Sequence, residues 1–254
     1  MLADLGLSAS LKFSAVGIDG CRAGWVAAFQ LDGEPVLAVV KTLSELTPHL
    51  SHETTVMIDM PIGLLNHDSS RQCDALARER LRPHRSSSVF CVPPRAVTRI
   101  SDYPQANALS RKLTGKGLSK QSFYLFPKIR ELDDWLVNPE RRGEWWECNP
   151  EVAFAQLNSG VALEASKKSE EGQAERRSFL ADLPGVNTAL ERASKNYKRK
   201  DLLPDDCIDA LVCLLTAERD PHQRILMPAT PDKDERGLTM GIMAPAYDLT
   251  RSFE

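Results

Sequence analysis

Five acidic residues stand where predicted strands end or where a predicted helix begins: Asp19, Asp59, Glu147, Asp206 and Asp209. Carboxylates that share one cleft repel each other, and a divalent cation removes that conflict. Hard oxygen ligands favour Mg²⁺ or Mn²⁺ over zinc. Two such ions about 4 Å apart can activate a water and stabilise the leaving oxygen of a phosphodiester. The joint pattern therefore indicates a metal site suited to phosphodiester hydrolysis.

Each acid on its own has a plainer interpretation. An aspartate after a strand is commonly a turn residue, and Asp206 at the start of an apolar helix complements the helix dipole. Glu147 follows two tryptophans and fits the surface of a strand. Asp209 is harder to explain in this way, because apolar residues flank it on the helix. All five acids taken together favour a metal site more strongly than any one of them does alone.

The first sixty residues contain the elements that would position Asp19 and Asp59. Apolar runs predict four strands, over residues 13–20, 24–31, 35–41 and 54–59. Thr42 and Glu45 form a capping-box pattern, which predicts a helix between the third and fourth strands. If the fourth strand lies parallel to the first, both aspartates reach the carboxyl edge of the sheet, where open α/β sheets place their sites.

The rest of the chain reads as helices around two further strand regions. Residues 66–140 predict a helical insertion, with helices over 71–81, 103–113 and 119–136, the last kinked or split at Pro127. A short strand over 144–148 and a helix over 150–157 follow. Pro204 opens a final apolar helix over 205–218, and the tail after it is expected to form an edge hairpin.

Composition places the chain in an ordinary class of proteins. Its 254 residues are 42% hydrophobic and 26% charged, with a net charge of −3, close to the globular average. We expect no secretory signal, and no stretch approaches the roughly 20 apolar residues of a membrane span. Six cysteines without a CxxC pair predict reduced thiols and a cytoplasmic location.

Charge is distributed in blocks along the chain. Residues 71–130 carry 13 basic and 3 acidic side chains, and residues 166–200 carry 9 and 5, whereas the remaining segments are acidic. Basic segments neutralise phosphates, so the pattern predicts a nucleic-acid partner, DNA or RNA. The alternative is solvated helix faces and ion pairs with Asp74 or Glu131. The candidate phosphate contacts are Arg22, Arg71, Arg78, Lys128 and Arg130.

Several short motifs occur in a fixed order: Val16–Trp25, Ile58–Leu64, Arg71–Arg78, Ser87–Phe90, Gly117–Gln121, Lys128–Asp133, Glu147–Glu151 and Asp206–Leu211. Over about residues 15–245 they resemble the motifs of a bacterial and archaeal family of unknown function, whose members are described as predicted RNase H-like nucleases. One departure is Asn149, where that family usually has a histidine before the proline. Any proton-transfer or metal role of that histidine would be lost here.

The resemblance implies an RNase H-like fold. This is an α/β mixed sheet of strand order 3-2-1-4-5, with helices on both faces and the helical insertion between strands 4 and 5, in a single domain over 12–254. The last motif is also similar to the final helix of RuvC-type Holliday-junction resolvases, in which acids bind two metal ions. Carried over, the ligands are Asp19, Asp59, Asp206 and Asp209. Our hypothesis is that Asp19 bridges the two ions and that Asp59 and Asp209 each hold one, with Asp206 or Glu147 assisting catalysis. Resolvase-like action would favour a homodimer.

Two rival functions stay open. A nucleotide-binding phosphotransferase or ATPase of the actin-like type shares the first three strands and an Asp-Gly after the first, but its phosphate loops are usually richer in Gly, Ser and Thr than Gly20–Gly24. A non-catalytic nucleic-acid-binding module would keep the acids for folding. Turnover of nucleotides, or metal-dependent stabilisation without turnover, would distinguish these from a nuclease.

Overall fold

A mixed sheet forms the centre of the computed structural model, which describes residues 2–8, 10–67 and 70–247. Within these residues the strands are β1 (Ala15–Cys21), β2 (Gly24–Leu31), β3 (Glu34–Val40), β4 (Thr55–Ile58), β5 (Glu144–Glu147), β6 (Arg224–Met227) and β7 (Ile242–Pro245). Their order across the sheet is β3-β2-β1-β4-β5-β7-β6. The predicted order 3-2-1-4-5 is therefore confirmed, and two strands extend it.

The strand directions bring the carboxyl ends of β1, β4 and β5 to the same edge of the sheet. β2 pairs antiparallel with both β1 and β3, whereas β4 runs parallel to β1 and β5 parallel to β4. The register pairs Ile18 with Ile58 and Ile58 with Glu147, so these three strands end side by side. The tail forms the expected edge hairpin, because β6 pairs antiparallel with β7 and β7 lies beside β5.

Helices flank the sheet within the described part of the chain. They are α1 (Gln72–Arg80), α2 (Arg95–Thr98), α3 (Tyr103–Thr114), α4 (Lys120–Tyr124), α5 (Phe126–Trp135), α6 (Pro150–Leu157), α7 (Glu170–Phe179), α8 (Val186–Asn196) and α9 (Pro204–Glu218). The helix predicted over 119–136 is split into α4 and α5, and Pro127 lies in the first turn of α5. The helix predicted after Thr42 is instead a 3₁₀ helix, Leu43–His49, with Pro48 inside it.

Alternate residues of β2 enter two separate cores. Val26 and Ala28 pack with α6, α8 and α9 on one face, whereas Ala27 and Phe29 pack with α3, α5 and the 3₁₀ helix on the other. This alternation is the period of an extended strand buried on both faces. It confirms helices on both faces of the sheet.

Gly17 lets α9 lie directly on β1. A Cβ atom at Gly17 would stand 2.1 Å from the backbone nitrogen of Leu214 and 2.2 Å from the carbonyl oxygen of Ala210. Only glycine permits this approach. The middle of α9 is thereby held against the strand that carries Asp19.

The segment between β4 and β5 forms the insertion. A buried ion pair ties it to the tail, because Arg95 of α2 donates both to Asp133 of α5, at 3.1 Å, and to Asp234. Residues 68, 69 and 248–254, which the expected insertion and domain include, lie outside the described residues. No helix of the described part has the length and apolar character needed to cross a membrane, and all six cysteines are free.

Candidate metal centre

Three of the predicted acids converge at the carboxyl edge of the sheet. Asp19 lies near the end of β1, Asp59 directly follows β4, and Asp209 lies in the second turn of α9. One carboxylate oxygen of each lies within 4.8 Å of the others. Asp19 is 7% exposed and Asp209 1% exposed, and Asp59 is half-buried. We call these three residues the aspartate triad.

The backbone explains this convergence. The amide of Asp59 donates to the carbonyl of Ile18 at 2.9 Å, which continues the parallel ladder and sets Asp59 beside Asp19. The close contact at Gly17 brings α9 to the same point. The amide of Gly20 donates to Asp19 Oδ1 at 2.6 Å and fixes that carboxylate.

The triad is electrostatically strained without a cation. Burial, followed by repulsion from Asp59 and Asp209, raises the pKa of Asp19 well above its usual range. Burial and the charge of Asp209 raise the pKa of Asp59 to about 8. Burial also raises the pKa of Asp209, although Lys167 opposes the shift. Three oxygens at this spacing fit the hard-oxygen preference of Mg²⁺ or Mn²⁺.

Lys167 completes the centre and was not among the predicted residues. Its Nζ donates to Asp209 Oδ2 at 2.6 Å, and its side chain is 38% exposed. The surrounding carboxylates raise the pKa of Lys167 above its ordinary value against the opposing effect of burial. Lys167 lies on the loop between α6 and α7, outside all the sequence motifs given above. The one sequence signal was that it begins the basic segment 166–200.

The other two predicted acids have different partners. Asp206 Oδ2 accepts a hydrogen bond from the amide of Leu203 at 3.0 Å, at the start of α9, and burial raises the pKa of Asp206 to about 6. Glu147 accepts from the amide of Ile62 at 2.8 Å and from two nitrogens of Arg71 at 2.8 and 2.9 Å. The structure thus brings three of the five acids together.

Arg71 is part of an internal clamp. It is 2% exposed, pairs with Asp74 and Glu147, and donates to the carbonyl of Ile62 at 3.0 Å. The ion pair with Asp74 is the alternative that the sequence left open. This set of partners gives Arg71 the role of fixing the loop after β4 onto β5.

The other predicted phosphate contacts donate to backbone carbonyls or are exposed. Arg78 donates to the carbonyls of Val89 and Phe90 at 3.0 and 2.8 Å. Lys128 donates to the carbonyl of Gly24 and lies over the Trp25 ring, 4.6 Å from its centre. Arg130 donates to the carbonyl of Thr98 at 3.0 Å, and Arg22 is exposed.

A cleft of about 810 Å³ opens over the triad. Its far wall comes from the insertion and carries hydroxyl, amide and aromatic groups, among them Ser87, Ser88, Phe90, Ser119 and Gln121. The cations along the cleft are Arg71, Arg85, Lys116, Lys167 and Lys168. A wall of this kind can contact phosphate, sugar and base groups of a bound strand.

Two residues of the motif Glu147–Glu151 have structural partners. Asn149, which replaces the usual histidine, caps α6 by accepting from the amide of Val152 at 3.1 Å. Both carboxylate oxygens of Glu151 accept from Nη2 of Arg176, at 2.9 Å each. Asn149 is therefore the N-cap of α6, and the ion pair of Glu151 with Arg176 joins α6 to α7.

Comparisons with known proteins give one match. The model of the family described as "Protein of unknown function (DUF429)" matches residues 17–233, which include the whole triad and Lys167. No curated protein matches this chain, and no solved structure matches it.

Proposed function

The chain belongs to the DUF429 family of proteins of unknown function, so its activity has to be inferred from its site. We propose that the protein is a metal-dependent nuclease that hydrolyses phosphodiester bonds. The observation that carries this proposal is the aspartate triad, whose oxygens lie within 4.8 Å of one another. Asp19, Asp59 and Asp209 would hold Mg²⁺ or Mn²⁺. The bound ion would supply Lewis acidity and lower the pKa of a water.

The fold supports the same proposal. The order 3-2-1-4-5, with β4 and β5 parallel to β1, is the order of an RNase H-like sheet. Acids at the end of the first strand, after the fourth strand and on the last helix follow the RuvC-like pattern. Fold analogy raises the expectation of nuclease chemistry but does not carry it alone.

The walls of the cleft support a polyanionic substrate. Lys116 and Lys168 are exposed and line the cleft, which the partly exposed Arg85 also lines. Cations on both sides would attract a phosphate chain and hold it over the triad. The insertion would provide the contacts that orient the strand, and the triad would bind the ion.

The test is a cleavage assay with purified full-length protein. Labelled single-stranded, duplex and branched DNA, RNA, and free nucleotides are incubated with Mg²⁺ or Mn²⁺, beside Asp19→Asn and Asp209→Asn. Asp220→Asn is the control, because Asp220 is exposed and lies past the C-terminal end of α9, whereas Asp209 lies in the second turn of that helix. We expect cleavage of a polymer by wild type and Asp220→Asn, and a loss of at least about 100-fold in the two triad variants.

The assay also separates the rival functions. Hydrolysis of free nucleotides with no polymer cleavage would replace the nuclease proposal with an actin-like phosphotransferase or ATPase. Nucleic-acid binding without turnover under every metal condition would replace it with a binding module. Polymer cleavage that survives in Asp19→Asn would remove the triad from the mechanism.

A further inference from the structure

The acids around the triad are committed to other partners. Asp206 accepts from the amide of Leu203 through Oδ2 and adds no oxygen to the group within 4.8 Å. Glu147 is held by Arg71 and Ile62, and both oxygens of Glu151 face Arg176. A second ion beside the triad would therefore have Asp19, Asp59 and Asp209 as its carboxylate ligands among the described residues, unless one of these pairs broke.

A cation already lies on the carboxylate of Asp209. Lys167 Nζ is 2.6 Å from Asp209 Oδ2, which is a short charge-assisted hydrogen bond. Three carboxylates carry three negative charges, and one divalent ion together with one ammonium balances them. A second divalent ion would leave the centre positively charged, with Lys167 next to it.

Two arginines hold the segment that carries Lys167. Arg85 donates to the carbonyls of Leu163 and Glu164 at 2.9 and 2.5 Å. The fully buried Arg176 donates to the carbonyl of Ala165 at 3.1 Å. Through Arg176, the Glu151 pair of α6 fixes the same segment, so Glu151 acts as a positioning residue.

The residues after Lys167 are fixed just as closely. A Cβ atom at Gly172 would stand 2.1 Å from the carbonyl oxygen of Ser166, so the first turn of α7 lies directly on the segment. Ser169 Oγ donates to that carbonyl at 2.8 Å and accepts from the amide of Gly172 at 3.1 Å. Lys167 is therefore presented by a rigid support, unlike an ordinary surface lysine.

We propose that the centre takes a single divalent cation and that the Lys167 ammonium occupies the position of a second one, where it contacts the scissile phosphate. This inference rests on the proposed nuclease function. In the hydrolysis, the oxygen of water bonds to phosphorus as the ester P–O bond breaks, and a proton of that water ends on the leaving oxygen. Lys167 keeps its proton and donates a hydrogen bond to a non-bridging phosphate oxygen.

Metal stoichiometry tests the inference without any activity. Full-length protein is titrated with Mn²⁺ by calorimetry, and the bound ion is examined by electron paramagnetic resonance. We expect one Mn²⁺ per chain with the spectrum of an isolated ion. Two ions per chain with a spin-coupled spectrum would overturn the inference and leave the nuclease proposal standing. No Mn²⁺ binding would overturn the nuclease proposal, and this inference with it.

Substitution of Lys167 tests its role. In Lys167→Met we expect Mn²⁺ to bind roughly tenfold more tightly, because the neighbouring positive charge is gone, and cleavage to fall at least about 100-fold. Lys167→Arg should keep the wild-type Mn²⁺ affinity within a few-fold. Lys195→Met, an exposed lysine of α8, is the control. Unchanged Mn²⁺ affinity and unchanged cleavage in Lys167→Met would overturn the proposal, and thermal unfolding verifies that each variant is folded.

Discussion

Gly17 of β1 and Leu214 of α9 approach so closely that a Cβ atom on the glycine would lie 2.1 Å from the leucine backbone nitrogen. Backbone cannot yield as a flexible side chain does. This contact sets the depth at which α9 lies on the sheet, and therefore the distance between Asp209 and Asp19.

The first prediction follows from that contact. Gly17→Ala should displace α9, destabilise the protein by at least about 1–3 kcal/mol and weaken Mn²⁺ binding. Gly20→Ala is the matched stability control on the same strand, because its Cβ would meet the flexible side chain of Lys128, at 2.9 Å. Urea unfolding and Mn²⁺ titration measure both effects. Equal stability of the two variants would show that the contact relaxes without cost.

The second prediction concerns pH. Asp59 has a pKa raised from 3.8 to about 8 in the folded chain, so its contribution to stability is fully present below about pH 4 and is lost as pH rises towards 8. Without metal, Asp59→Asn should therefore be more stable than wild type at pH 8, and the difference should vanish near pH 4. Because Asp59 is half-buried and solvent screens its charge, we expect about 1–2 kcal/mol.

Unfolding by urea in the presence of a chelator, at pH 4.5 and pH 8, measures this difference. Asp220→Asn serves as the control for a surface carboxylate. A difference between wild type and Asp59→Asn that stays constant with pH would contradict the expected burial of charge.

The third prediction is stabilisation by the ion. At a Mg²⁺ concentration about 100 times the dissociation constant, binding to the folded state should add about 2.7 kcal/mol. The gain should be larger at pH 8 than at pH 5, because the ion must displace protons from the triad. Asp209→Asn should lose most of the gain. Thermal unfolding with Mg²⁺ and with a chelator measures it, and equal midpoints in wild type would argue against a metal site.

The fourth prediction separates structural from substrate-binding arginines. Arg71→Met leaves Glu147 and Asp74 buried without their partner, so it should destabilise the protein by about 3–5 kcal/mol. Arg22→Met changes an exposed residue and should lie within about 0.5 kcal/mol of wild type. Urea unfolding measures both variants. A stable Arg71→Met that binds nucleic acid weakly would return Arg71 to substrate contact.

The fifth prediction concerns the cleft wall. Each of Lys116 and Lys168 lines the cleft and is exposed. The logarithm of the binding constant falls as the logarithm of the salt concentration rises. If each lysine contacts one phosphate, its removal should make this negative slope shallower by about 0.7–0.9. Lys195→Met should leave the slope unchanged. Nucleic-acid binding at several salt concentrations, with Asp19→Asn as the common background to prevent cleavage, measures the slopes.

Much of the sheet could be predicted because its strands are continuous apolar runs. Asp19 and Asp59 were predictable as neighbours, since each directly ends a run and parallel strands share an edge. Asp209 was predictable because a carboxylate within an apolar helix needs a partner. These three inferences depend on residues close together in sequence or on one general rule of topology.

The remaining residues depend on long-range contacts that no local pattern contains. Glu147 and Arg71 meet because the loop after β4 folds over β5. Lys167 reaches Asp209 because Arg85 and Arg176 hold its loop. A basic residue in a polar segment has the same local pattern whether it is solvated or buried beside an acid.

The pairing of Arg95 with Asp234 links the insertion to the tail, and the triad likewise joins β1 and the end of β4 to α9. During synthesis from the amino terminus, Asp19 and Asp59 emerge long before Asp209 and Asp234. A nascent chain therefore holds two of its three metal ligands, but not the complete centre, until α9 leaves the ribosome. The centre assembles late, only after the whole stretch between Asp19 and Asp209 has been made.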